Sequence, residues 1–148
     1  MKRISVFLTA MFILMQTGCQ QKLGGYTYSS IYILEGEEII DAQDYTLTLS
    51  AEGEEKKLKV ICSDDLAITG KDSWISHNKI TVNGITATVN NDAQEYEYTT
   101  DRKYRRTLQS ITFKAPENTS AKKKIVKMKI LSFDMNGIAA KITVIQGK

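Results

Sequence analysis

Side chains able to do chemistry are scarce in this sequence, and those present are poorly matched to one another. There are two cysteines, Cys19 and Cys62, and one histidine, His77, in 148 residues. A lone histidine without paired cysteines does not make a zinc site. Asp64-Asp65 offers adjacent carboxylates, but calcium needs roughly six to eight clustered oxygens, and no such cluster is visible. No nucleophile has a base and an orienting group in view. No glycine-rich loop precedes a helix to hold a phosphate, and no carboxylate pair stands apart from the rest. The chain is therefore expected to be non-catalytic, with no cofactor and no metal.

Binding chemistry is better represented. Tyr96 and Tyr98 are two residues apart, which sets them on one face of an extended segment. With Tyr104 they would form an aromatic patch suited to the flat face of a sugar. Arg102-Lys103-Tyr104-Arg105-Arg106 reads as a compact basic loop beside it, able to meet acidic glycans or anionic headgroups. Tyr96, Tyr98, Tyr104 and Arg105 are thus the candidate ligand-binding residues. The plainer alternative is cross-strand packing of tyrosines next to a solvated loop. Lys122-Lys123-Lys124 is read as another solvated run.

Cys19 is distinguished by what precedes it. Met1-Lys2-Arg3 is a basic start, Ile4 to Met15 is an apolar run broken only by Ser5 and Thr9, and Thr17-Gly18 are small. This is the three-part plan of an exported precursor. The apolar run is twelve residues, against the about 20 a bilayer-spanning helix needs. Thr17-Gly18-Cys19 resembles the cleavage site of bacterial lipoproteins. That resemblance implies removal of residues 1–18, a Cys19 acylated on its thiol and its amine, and residues 19–25 as a short tether. The partner it implies is the membrane, held by more than one acyl chain. Cys62 would then have no partner within the chain, so no internal disulfide is expected.

Lys2 and Arg3 leave with residues 1–18 and no acid does, so 18 basic residues face 17 acidic ones in the mature chain. Such a balance offers no electrostatic case for nucleic acid, which wants a strongly basic stripe. The remaining length, about 130 residues, fits a single domain.

The elements that must position these groups read as strands. Tyr26 to Leu34 has a strand composition and ends at Glu35-Gly36-Glu37-Glu38. Tyr45, Leu47 and Leu49 alternate with Thr46, Thr48 and Ser50, and Leu58, Val60 and Cys62 alternate with Lys57 and Lys59. One apolar and one wet face is the mark of an antiparallel sheet. Asn83-Gly84 predicts a two-residue type I′ hairpin, pairing Val82 with Ile85 and Ile80 with Ala87, with every apolar side chain on one face. For Asn136-Gly137 a two-residue loop fails that test. A three-residue loop, Met135 to Gly137, pairs Ile130 with Ile142 and Met128 with Val144. Seven to nine short strands follow from the pattern, and the expected fold is an all-β, immunoglobulin-like antiparallel β-sandwich, with a barrel as the alternative architecture. Trp74 is assigned to its core, as buried tryptophan is common in such folds, rather than to a sugar platform. Cys62, within an apolar alternation, is assigned to the core as a small buried hydrophobe.

Four stretches together resemble the BACON domain, the Bacteroidetes-associated carbohydrate-binding module that is often N-terminal. They are Leu47 to Ser63, Ser73-Trp74-Ile75, Arg105-Arg106-Thr107 leading into Ser110 to Phe113, and Ile142 to Gly147. The resemblance covers roughly residues 45–148 and leaves residues 26–44 as an N-terminal strand extension. It implies an immunoglobulin-like sandwich that binds carbohydrate or mucin, or acts as a spacer. The lipoprotein resemblance implies an outer-membrane site. Gln20-Gln21-Lys22 lacks the acidic residues that surface-exported lipoproteins of those bacteria carry, which favours the periplasmic face. The alternative function is a structural lipoprotein docking an envelope protein through a sheet edge or the Tyr26–Leu34 strand.

Overall fold

Apolar–polar alternation is realised as eleven strands and, among the described residues, no helix. The computed structural model describes residues 31–62, 65–100, 102–132 and 138–148, without the side chains of 97–100, 102–105 and 138. The strands are β1 (Tyr32–Glu35), β2 (Glu38–Asp41), β3 (Asp44–Leu49), β4 (Glu54–Cys62), β5 (Leu66–Gly70) and β6 (Lys79–Val82). They continue with β7 (Ile85–Val89), β8 (Gln94–Thr100), β9 (Arg102–Ala115), β10 (Lys124–Ser132) and β11 (Ile138–Gln146). The fold is the expected all-β sandwich, with more strands than the seven to nine anticipated. One sheet has seven strands, ordered β2-β1-β4-β9-β7-β6 with β8 also on β9, and the other has four, ordered β3-β11-β10-β5.

The inner faces follow the period of two. Ile33, Leu58, Val60, Cys62, Ile111, Phe113, Ile85 and Ala87 from the large sheet meet Leu47, Leu49, Val126, Met128, Ile130, Ile142, Val144 and Ile68 from the small one. Each large aliphatic or aromatic side chain removed from water in this layer contributes roughly 1.5–3 kcal/mol, and this layer holds the two sheets together. Two polar ties close the sandwich. The Tyr45 hydroxyl donates to Glu35 across the sheets, and Lys56 Nζ donates to Thr48 O at 2.7 Å.

The pairing is not purely antiparallel. β3 runs parallel to β11, with Leu47 beside Val144. Of the two strands in the Leu47–Ser63 stretch, β3 joins the small sheet and β4 the large one. The crossing is made at Ser50–Gly53, where Gly53 has φ +93°. A Cβ there would meet Glu117 N at 3.0 Å, so only glycine allows this close approach. Gln146 fastens the same corner. It is fully buried, and its Nε2 donates to Ser50 O at 3.1 Å and Pro116 O at 2.5 Å.

The Asn83-Gly84 hairpin forms as expected, pairing Val82 with Ile85 and Ile80 with Ala87. Asn83 at φ 48° and Gly84 at φ 79° meet the type I′ requirement. The second hairpin differs from expectation. Met128 pairs with Ile142, Ile130 with Ala140 and Ser132 with Ile138, two residues from the predicted register. The faces come out right because a slip of two preserves them. The loop is longer, and residues 133–137, including Asn136-Gly137, lie outside the described residues.

Residues 32–41, read as part of an extension, form a hairpin within the large sheet, β1 lying between β2 and β4. Ile31, Ile33 and Ala42 belong to the core. The Tyr26–Leu34 stretch therefore does not present a free strand at its described end, where both sides of β1 are paired. Among the described residues no helix is long and apolar enough to cross a membrane.

Candidate functional site

The predicted aromatic and basic patch falls on the β8–β9 hairpin. Arg102 to Arg106 are not a loop but the start of β9, because β8 supplies them with a ladder partner. The register sets Tyr96 opposite Arg106 and Tyr98 opposite Tyr104. Tyr96 is half-buried, while the side chains of Tyr98, Tyr104 and Arg105 lie outside the described residues. Arg106 is buried, its guanidinium 5.9 Å from the centre of the Tyr32 ring. Cys19, the expected lipidation site, also lies outside the described residues. Cys62 is fully buried.

Trp74 departs from expectation most clearly. It is 66% exposed, and its neighbour Ile75 is 69% exposed. The assignment to the core fails because Trp74 sits on the connection from β5 to β6, beyond the last inward-facing residue of β5. That connection is pinned. Ser73 N–H donates to Gly70 O at 3.1 Å, and Ile75 N–H donates to Ser73 Oγ at 3.1 Å. At the far end His77 forms a two-bond bridge with Ile68, at 2.9 and 3.0 Å. The only described histidine thus contributes its backbone here, with its side chain exposed.

The indole lies over the outer face of the small sheet. Lys129 of β10 places its ammonium 4.0 Å from the ring centre, a cation–π contact. Lys129 is only 8% exposed, so the lysine covers one face of the indole and the exposed area is the rest. An aromatic ring supported from below and open above can stack on a flat apolar surface.

Below the same connection a groove of about 400 Å³ opens between the sheets, lined by Ser76, Asn78, Asn90, Asn91 and Gln109 among others. Asn78 and Asn91 bring amide groups of the kind that can hold hydroxyl groups, while the amide nitrogens of Asn90 and Gln109 are committed within the protein. The far wall is cross-linked by hydrogen bonds. Asn90 Nδ2 donates to Ser110 Oγ and Thr112 Oγ1, each at 2.8 Å, and Gln109 Nε2 donates to Asn90 O at 2.7 Å. Asp92 accepts from Ser110 N–H at 2.9 Å and from Ser110 Oγ at 2.5 Å. The Ser110 hydroxyl holds the Asp92 carboxyl down at about 2, against burial, with Ser110 N–H and the Lys57 ammonium at 3.0 Å adding to the effect. An ionised Asp92 tied to a donor and a lysine is a strap. Among the described residues no group of three or more His, Cys, Asp or Glu could hold a metal.

The amides of this groove come from positions 78 to 109 and carry no motif, so sequence spacing could not assemble them. The exposure of Trp74 had a signal: Lys71-Asp72-Ser73 and Ser76-His77 flank it with polar residues and no alternation. No protein-family model matches the chain, and no curated protein matches it.

Proposed function

We propose that this protein is a non-catalytic, lipid-anchored module of the bacterial outer envelope that binds glycan, with Trp74 as its stacking platform and the adjoining amide groove as its hydrogen-bonding part. The observation that carries the reading is the indole, 66% exposed and backed by Lys129. Exposing a ring of this size forgoes roughly 2–3 kcal/mol of burial, a cost that a ligand stacking on it would recover. The BACON-like motifs point the same way, since Ser73-Trp74-Ile75 is one of them. The lipoprotein-like Thr17-Gly18-Cys19 supports the anchor, with acylated Cys19 holding the body close to the outer membrane on its periplasmic side.

The test is retention of the full chain in neutral detergent on mucin and polysaccharide columns. Wild type is expected to be retarded, and Trp74→Ala to elute with the void while keeping its circular-dichroism spectrum. Passage of wild type through every column unretarded rejects the reading. For the anchor, labelled fatty acid is expected to enter wild type and not Cys19→Ala.

A further inference from the structure

The outer face of the four-stranded sheet carries an excess of cationic charge around Trp74. Lys129 on β10 stands directly opposite Lys141 on β11, and Lys127, two residues along β10, shares their face. Like charges in direct cross-strand register oppose folding. None of the three lysines is in an ion pair with a described residue; Asp44, beyond Lys141 on β3, is the carboxylate in the same row. Asp72 is nearby in sequence but its carboxylate is taken by Lys71 at 3.4 Å.

Burial sharpens the imbalance. Lys129 is more than nine-tenths buried, and its ammonium has the Trp74 ring as its charge-stabilising contact. On its other flank is Thr69, fully buried, whose Oγ1 has no hydrogen-bond partner. Removing a cation from water costs stability unless it is paired, and here the buried Lys129 has an aromatic ring in place of a carboxylate, beside a buried hydroxyl without a partner. Lys127 and Lys141 are exposed, so an anion can approach them from solvent beside the indole.

We infer that this face selects acidic glycans: a pyranose stacks on Trp74 while a carboxylate or sulfate on the same or the next sugar is held by Lys127, Lys141 and the field of Lys129. The inference rests on the glycan-binding reading above and adds the class of sugar. Lysine acts as a point charge without the fork of arginine, so the site reads charge beside a sugar ring and does not distinguish carboxylate from sulfate by geometry. The fixed cation beneath the ring makes its open face favour an anionic ligand over a cationic one.

The experiment is calorimetric titration of the full chain in neutral detergent with three polymers. They are polygalacturonate, the same polymer after reduction of its carboxyl groups, and polyglutamate. Polygalacturonate is expected to bind about tenfold more tightly than either of the others, with affinity falling as salt rises. Lys127→Glu and Lys141→Glu, both at exposed positions that leave the core untouched, are each expected to weaken that binding by roughly fivefold or more. Equal affinity for the acidic and the reduced polymer would overturn the charge selection and leave the glycan reading standing. Equal affinity for polyglutamate would show anion attraction without sugar recognition and overturn it as well. Unchanged affinity in both lysine variants would remove the site, and no binding to either polysaccharide would overturn the acidic-glycan inference, the glycan reading itself being decided by the columns.

Discussion

Asp92 shows how a single side chain reports on the architecture around it. Its carboxyl is pulled to about 2 from the ordinary 3.8, first by the Ser110 hydroxyl. A depressed folded-state value means that the stabilisation is present above the unfolded value and lost as pH falls through the folded one. The window is therefore pH 4 down to about pH 2. With 36% of the side chain exposed, solvent screening keeps the effect modest. Asp92→Asn is expected to be less stable than wild type in urea at neutral pH, with the gap closing between about pH 4 and pH 2. A gap that stays constant over that range would show that the strap does not act through charge. Neither partner was legible beforehand: Asp92 and Ser110 are 18 positions apart, and nothing local marks them as a pair. Cys62 is the opposite case, since Val60 and Leu58 before it already set its inward parity.

At the scale of elements, the two hairpins separate local from non-local information. Asn83-Gly84 specifies a turn whose backbone requires positive φ at both central residues, and the flanking apolar positions agree with the register it imposes. Gly84→Ala leaves contacts unchanged, since an added Cβ would meet only Lys124 Nζ at 3.7 Å. Its cost is conformational, and a loss of about 1 kcal/mol in unfolding free energy is expected from urea titration. No loss would mean that the left-handed turn is not needed. The β10–β11 hairpin has the same dipeptide, but parity allows registers two residues apart. In the four-stranded sheet Met128 stands opposite Ile142, with Leu47 beside Val144 and Ile68 opposite Ile130 on the same inner face. The basic run at 102–106 is strand for a related reason: β8 pairs with it, and charge density alone does not exclude a strand.

For the whole molecule, the consequence is that residues 31–42 are part of the sandwich body. β1 and β2 cover the edge of β4 and bring Ile31, Ile33 and Ala42 into the core. A chain beginning at residue 43 is expected to lose roughly 4 kcal/mol or more, from two buried isoleucines and an uncovered ladder. An unchanged unfolding midpoint would show that the hairpin is an appendage. The small sheet meanwhile has its inner face in the core and its outer face carrying Trp74, Lys127, Lys129 and Lys141, so one thin layer both closes the sandwich and displays the proposed site.

Alternation and turn chemistry act over a few residues. For that reason the chain by itself determined the all-β class, the inward parity of β3, β4, β7 and β9, and the register at Asn83-Gly84. The parallel union of β3 with β11, the sheet to which each strand belongs, the outward seat of Trp74 and the row Asp44-Lys141-Lys129-Thr69 were decided only in three dimensions. They depend on contacts between segments up to about a hundred residues apart, where many pairings satisfy the same local pattern and the packing of one shared core selects among them.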